Sequence, residues 1–293
     1  MKFIALGLVA LAVGLGSARA EAPVAAPPPG PLSLSAVLGT ATQPLASGLH
    51  WRIFNERAEA DGSHVLIAES KDAQAVLTVA PGQYIVHVAY GLAGATRRVV
   101  VNGPKASERL VLNAGGLKII GALGEKAIPA SRLALSIFVP EKGNSEAKLV
   151  LANAKAEELI ALPEGTYHIV STYLDTVGVG SLGGPGSNNA TNSVVAADLR
   201  VQTGKLTTAT LRHRAAVSTL KLVNQPGGEA LANTAFTVLT PGGDVIRELI
   251  GAFPSLVLAE GEYAAIARHE GKTYQSSFKV ESTLDRDVEI IAK

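Results

Sequence analysis

The chain has 293 residues and a formal net charge of +1; 47% are apolar and 17% charged, with 30 Gly, 15 Pro and no Cys. So large an apolar fraction excludes a disordered chain, and so much Gly and Pro with so little charge excludes a helical bundle. Without cysteine there is no disulfide framework, no thiol nucleophile and no thiolate metal site.

In chain order, Met1 and Lys2 give a positive start and residues 3–16 form an almost unbroken apolar run. Ser17, Ala18 and Ala20 then supply small residues of the kind signal peptidase reads. Residues 1–20 are therefore predicted to be a signal peptide cleaved before Glu21. The run is too short for a membrane span, which needs about 20 residues. No later stretch is longer, so no integral membrane segment is expected after cleavage, and the mature chain is expected in the periplasm or outside the cell. Losing Lys2 and Arg19 lowers the 26 basic residues to 24, against 25 acidic ones. No basic block exceeds Arg97-Arg98 or Arg212-His213-Arg214, so nucleic acid is not an expected partner. Residues 21–31 contain Pro23, Pro27, Pro28, Pro29 and Pro31, the composition of an extended, semi-rigid linker.

From Leu32 onward one unit recurs three times. Each copy opens on an alternating apolar stretch: Leu32–Leu34, Leu117–Ile119 and Val217–Leu220. A second stretch follows at Trp51–Ile53, Leu135–Ile137 and Phe236–Val238. A glycine turn then leads into a tyrosine strand, with Gly82 and Tyr84, Gly165 and Tyr167, Gly261 and Tyr263 in corresponding places. Tyr90 and Tyr173 stand six residues after their leading tyrosines, and His269 takes that position in the third copy. Returning stretches at 98–102, 197–201 and 277–280, then closing stretches at 108–112, 206–211 and 286–291, complete the copies. Tyr84 and Tyr167 lie 83 residues apart, Tyr167 and Tyr263 96 apart. An 18-residue insertion in the second copy and a five-residue shortening in the third account for that difference.

Short strands, frequent Gly/Pro turns such as Pro226-Gly227-Gly228 and Pro241-Gly242-Gly243, and almost no helical period read as sandwiches. The fold predicted is all-β: three tandem immunoglobulin-like antiparallel β-sandwiches, at 32–114, 115–214 and 215–293. Ala152–Ala161 is the exception, because its run of strong helix formers predicts a short helix or a helical turn. Trp51 and Phe236 are expected to anchor cores. Tyr84, Tyr167 and Tyr263 are expected to bury their rings and send the hydroxyl to a backbone carbonyl.

The phrase Leu162-Pro163-Glu164-Gly165-Thr166-Tyr167-His168-Ile169 resembles the start of a core strand in prealbumin-like sandwiches. These include carboxypeptidase regulatory-like domains and the B-type repeats of collagen adhesins and pilins in exported bacterial proteins. The resemblance implies stalks, spacers or protein-interaction modules rather than catalysts. Pilin-type members can also carry an internal Lys–Asn isopeptide bond. Lys118 and Lys221 lie in opening strands, but the closing strands of their units contain no Asn, so none is expected.

The remaining sequence offers few chemical signals. Gly178, Gly180 and Gly183 match a dinucleotide fingerprint, but no helix follows to receive a pyrophosphate. The six histidines show no metal-ligand spacing, and no serine sits in a nucleophile elbow. No catalytic, cofactor-binding or metal-binding residue is therefore assigned. The insertion 175–192 is a long Gly/Asn-rich loop, where binding function tends to reside. Asp175, Ser187, Asn188, Asn189, Thr191 and Asn192 are its candidate contact residues. Two functions follow. One is a non-enzymatic, envelope-associated structural protein or a module binding protein partners there. The other is a periplasmic protein binding a small molecule or glycan through the loop.

Overall fold

The computed structural model describes residues 28–140, 147–174 and 193–293. The predicted leader, most of the predicted Pro-rich linker and all six candidate contact residues lie outside the described residues.

The first unit runs through β1 (Gly30–Leu38), β2 (Leu49–Ala58), β3 (His64–Ser70), β4 (Ala75–Val79), β5 (Gly82–Tyr90), β6 (Ala93–Val101) and β7 (Ala106–Leu112). Two sheets face each other, ordered β4-β1-β7 and β3-β2-β5-β6. The second unit comprises β8 (Ala114–Leu123), the short β9 (Lys126–Ala127), β10 (Leu133–Val139), β11 (Lys148–Ala154), β12 (Ile160–Pro163), β13 (Gly165–Tyr173), β14 (Val194–Val201) and β15 (Leu206–His213). Its sheets repeat the pattern as β12-β8-β15 and β11-β10-β13-β14, with β9 added beside β8. The third unit has β16 (Ala215–Val223), β17 (Thr234–Leu239), β18 (Val245–Gly251), β19 (Ser255–Ala259), β20 (Gly261–His269), β21 (Lys272–Val280) and β22 (Arg286–Ile291). They form β19-β16-β22 and β18-β17-β20-β21.

Alternation of side chains explains why these segments are strands. Along β2, Leu49, Trp51 and Ile53 point inward and are buried, while His50, Arg52 and Phe54 point outward. Along β5, Tyr84, Val86 and Val88 do the same. Trp51 and Phe236 are 0% and 1% exposed and anchor the first and third cores. The second core has no such ring at this position and is filled by Leu117, Leu135, Ile137, Leu162 and Ile169 around Tyr167 and Tyr173.

Two features differ from the sequence expectation. The sandwiches are not wholly antiparallel. β1 pairs β7 in parallel, from Leu32 opposite Ala106 to Leu38 opposite Leu112. β8 pairs β15, and β16 pairs β22, in the same sense. A seven-strand unit whose first and last strands run together delivers its chain to the end opposite its start, where the next unit begins.

The second difference concerns Ala152–Ala161, which is not helical. The segment contains the end of β11, a turn and the start of β12. Asn153 and Glu157 adopt φ of +53° and +66°, which no right-handed helix accommodates. Ala154 and Ala156 are buried in the second core, and the Glu157 amide donates to the Ile119 carbonyl at 2.8 Å. Tertiary packing here overrides helix propensity.

Replacing Trp51 by Ala should remove the largest ring of the first core and destabilise that unit by about 3–5 kcal/mol. In denaturant unfolding of the full chain, the transition of the first unit should shift while that of the third stays in place. A uniform shift of every transition would refute separate cores.

Candidate functional site

Each leading tyrosine makes the same contact. Tyr84 donates its hydroxyl to the Ala80 carbonyl at 2.7 Å, Tyr167 to Pro163 at 2.8 Å and Tyr263 to Ala259 at 2.8 Å. All three rings are buried, and each folds back toward the glycine opening its strand, Gly82, Gly165 or Gly261. Burial raises the Tyr167 phenol above its ordinary value. These contacts fix the turn between the two sheets of a sandwich and leave the hydroxyls committed to structure.

The same turns build the junctions between units. A single residue, Asn113, separates β7 from β8, and a single residue, Arg214, separates β15 from β16. The Asn113 carbonyl accepts from the Glu164 amide at 3.0 Å, and the Arg214 carbonyl accepts from the Glu260 amide at 2.9 Å. One residue further on, Ala114 accepts from Gly204 at 2.8 Å and Ala215 from Thr283 at 2.9 Å. The two glutamates then diverge. Glu164 accepts from the Thr203 hydroxyl at 2.6 Å, which with the Thr203 amide holds its carboxyl below the ordinary value. Glu260 instead takes both ends of the Arg214 guanidinium, each at 3.0 Å.

Packing carries the chain across these junctions. Ala114, which opens β8, lies in the first core, and Ala215, which opens β16, lies in the second. Val257 of the third unit also packs into the second core. Between the first two units the Leu92 amide donates to the Ala161 carbonyl at 2.9 Å. Gly91 beside it has φ of +57°, and a Cβ there would stand 2.6 Å from that same oxygen. Only glycine permits this approach.

At the junction of the second and third units lies a cleft of about 520 Å³ lined by Ser193, Val194, Val195, Arg212, Arg214 and Glu260 among others. Behind it His213 is 1% exposed, its Nε2 2.9 Å from the Ser171 hydroxyl and its Nδ1 3.0 Å from that of Ser193. Tyr173 meets the imidazole edge-on at 5.8 Å, and the Arg132 guanidinium lies 4.7 Å over the Tyr173 ring. Burial pushes the His213 pKa below the ordinary histidine value.

This cluster superficially suggests a nucleophile and base. Both imidazole nitrogens, however, are occupied by serine hydroxyls. Ser171 itself is fully buried. A serine nucleophile must be within reach of the substrate's carbonyl, which the burial of Ser171 prevents. The cluster is read as a neutral, satisfied polar knot beside the junction. Its members carried no signal in the sequence, because β13 and β15 meet only in the folded unit.

Two other histidines contact carboxylates at the surface. His168 contacts Asp198 at 2.8 Å and His50 contacts Glu69 at 3.2 Å, both solvent-facing. Among the described residues no group of three or more His, Cys, Asp or Glu is placed to hold a metal, and no helix is long and apolar enough to cross a membrane. Lys221 pairs with Asp287 on the outer face of its sheet and lies 5.8 Å from the Phe253 ring.

Comparison with known proteins gives a family match over part of the chain. The model of the Rhizobiales growth-associated tandem repeat domain matches residues 217–292, from within β16 to the end of β22. No curated protein matches the chain. Among solved structures, a streptococcal ancillary pilin aligns over 90% of this chain and 99% of its own, at 10% identity and a TM-score of 0.31. The minor pilin of Streptococcus agalactiae aligns over 63% of this chain and 95% of its own, at 12% identity and a TM-score of 0.26. The Bacillus anthracis TIE protein aligns over 91% of this chain at 16% identity and a TM-score of 0.24; the chain spans 50% of that protein's length.

A buried neutral histidine binds fewer protons than the same residue in the unfolded chain. His213 therefore supports the second unit above about pH 6.5, and that support is lost as pH falls below this value. Unfolding of the second unit followed from pH 8 to pH 5 should show this slope, and His213→Gln should reduce it. An unchanged slope in the variant would assign the pH dependence to other groups.

Proposed function

We propose that this chain is a non-enzymatic, exported protein of the cell envelope that holds binding surfaces at fixed spacing. The observation carrying this reading is the repeated junction. Two successive units are joined by one residue, and each joint is closed by a matching pair of backbone hydrogen bonds. Enzymes need a convergent nucleophile, base and charge stabiliser. The cluster of Ser171, Ser193 and His213 is instead consumed by structural contacts. The apolar leader supports export, and the family match over 217–292 supports a part in growth for at least the third unit. The prealbumin-like resemblance supports a spacer or protein-binding role. Protein partners in the envelope are the partner class proposed.

The test uses the tagged full chain in its own cells. The mature protein should begin at Glu21 and fractionate with the envelope. Deleting the gene should slow growth, and the native chain should restore it. A chain with six Gly/Ser residues inserted between His213 and Arg214 should fold yet fail to restore growth. Recovery of an uncleaved cytoplasmic protein would overturn the export reading. Full rescue by the flexible insertion would overturn the spacing reading.

A further inference from the structure

The outward face of the sheet β3-β2-β5-β6 carries a cleft of about 370 Å³ lined by Arg52, Phe54, His64, Ile85, His87 and Thr96. Strand register makes it two adjacent rows. In one, Arg52 stands opposite His87, which stands opposite Thr96. In the other, Phe54 stands opposite Ile85. The cleft thus has a polar side and an apolar side.

Arg52 is the unusual member. Its Nε is buried and has no hydrogen-bond partner. Glu69 lies opposite it on β3 but turns to His50 at 3.2 Å, and Glu56 pairs with Arg98 at 3.2 Å. A buried guanidinium N–H without an acceptor is a standing cost to the fold. His87 lies beside it, its pKa lowered by burial and by the nearby Arg52 and His50, so the ring is neutral at neutral pH. His64 completes the rim, with Nδ1 2.9 Å from the Asn55 carbonyl.

The other two units show that the fold does not require this arrangement. The position of Arg52 and His87, paired across the same two strands, is held by Ser136 and Val170 in the second unit. In the third it is held by Thr237 and Ile266. A sandwich of this design closes with a small hydroxyl residue where the first unit keeps a long cation with an unused donor.

We infer that this cleft binds a small carboxylate with an apolar body. The carboxylate would accept from Arg52, and the body would lie on Phe54 and Ile85. Guanidinium and carboxylate are complementary in charge and in their paired hydrogen-bond geometry. The volume falls within the range of small-molecule sites, about 300–1,000 Å³. This site belongs to the first unit.

The test titrates mature full-length protein with phenylacetate, following backbone amide resonances. Saturable binding is expected, with shifts centred on Arg52, Phe54, Ile85 and His87. Phenylacetamide, which keeps the ring and loses the charge, should bind at least tenfold more weakly. Arg52→Thr introduces the residue type that the third unit already carries there. It should fold with an unfolding midpoint equal to or above that of the native chain and bind phenylacetate at least tenfold more weakly. Thr237→Ala should leave binding unchanged. Equal binding of acid and amide, undiminished binding by Arg52→Thr, or no saturation with phenylacetate would overturn the inference. So would unfolding of Arg52→Thr, which would make Arg52 structural. Preference for a peptide ending in a free Phe carboxylate over phenylacetate would overturn the small-ligand assignment.

Discussion

Parallel pairing of the first and last strand in each unit is the constraint on which the rest of the chain depends. A closing strand antiparallel to the opening one would leave the start and finish of a unit at the same end. Seven strands with β1 beside β7 put the exit at the far end of the unit. The next opening strand then needs no linker, and Asn113 and Arg214 alone span the two gaps. A one-residue connection leaves little conformational freedom to restrict, so the backbone bonds from Glu164 and Glu260 close the joint at small entropic cost. The cores respond to this geometry. Ala114 and Ala215 open their own units yet pack into the cores that precede them.

The tyrosine turns connect this constraint to the interior of each unit. The phenol of Tyr167 holds Pro163, the next residue is Glu164, and Glu164 reaches back to Asn113. The same chain of contacts runs from Tyr263 through Ala259 and Glu260 to Arg214. One turn therefore ties the two sheets together and also seats the preceding unit. In the first unit Tyr84 makes the corresponding bond to Ala80, although no unit precedes it among the described residues. The contact thus serves the sandwich first, and the junction uses a turn that is already rigid.

These relations explain what was legible in the sequence. The opening, tyrosine-led and closing strands announce themselves because one face is buried, so Leu49, Trp51 and Ile53 or Tyr84, Val86 and Val88 alternate with exposed neighbours. Strands β3, β11 and β18 occupy sheet edges, where burial is slight on both faces. Val65, Leu66 and Ile67 run consecutively along β3, each over 40% exposed, and leave no period to detect. The helix expected near Ala152 failed for the opposite reason: local preference was clear, but Ala154, Ala156 and Ile160 are claimed by the core. Chemistry was less legible than fold. Ser171, Ser193 and His213 converge from three strands or strand ends, and Arg52 looks like any solvated arginine until β3 and β5 close around it.

The three copies also separate what the fold demands from what each unit is free to vary. Inward positions change within narrow limits: Trp51, Leu135 and Phe236 are all large and apolar, and Tyr84, Tyr167 and Tyr263 are identical. Outward positions on the same strands vary in chemical type, from Arg52 to Ser136 to Thr237 and from His87 to Val170 to Ile266. Interior volume restricts the first set through packing density, whereas solvent imposes no comparable restriction on the second. Unit-specific function must therefore be sought on outward sheet faces, at junction clefts and in loops. An outward residue that incurs a burial cost its counterparts avoid is the sharpest local sign of such function, and Arg52, against Ser136 and Thr237, is one that does so.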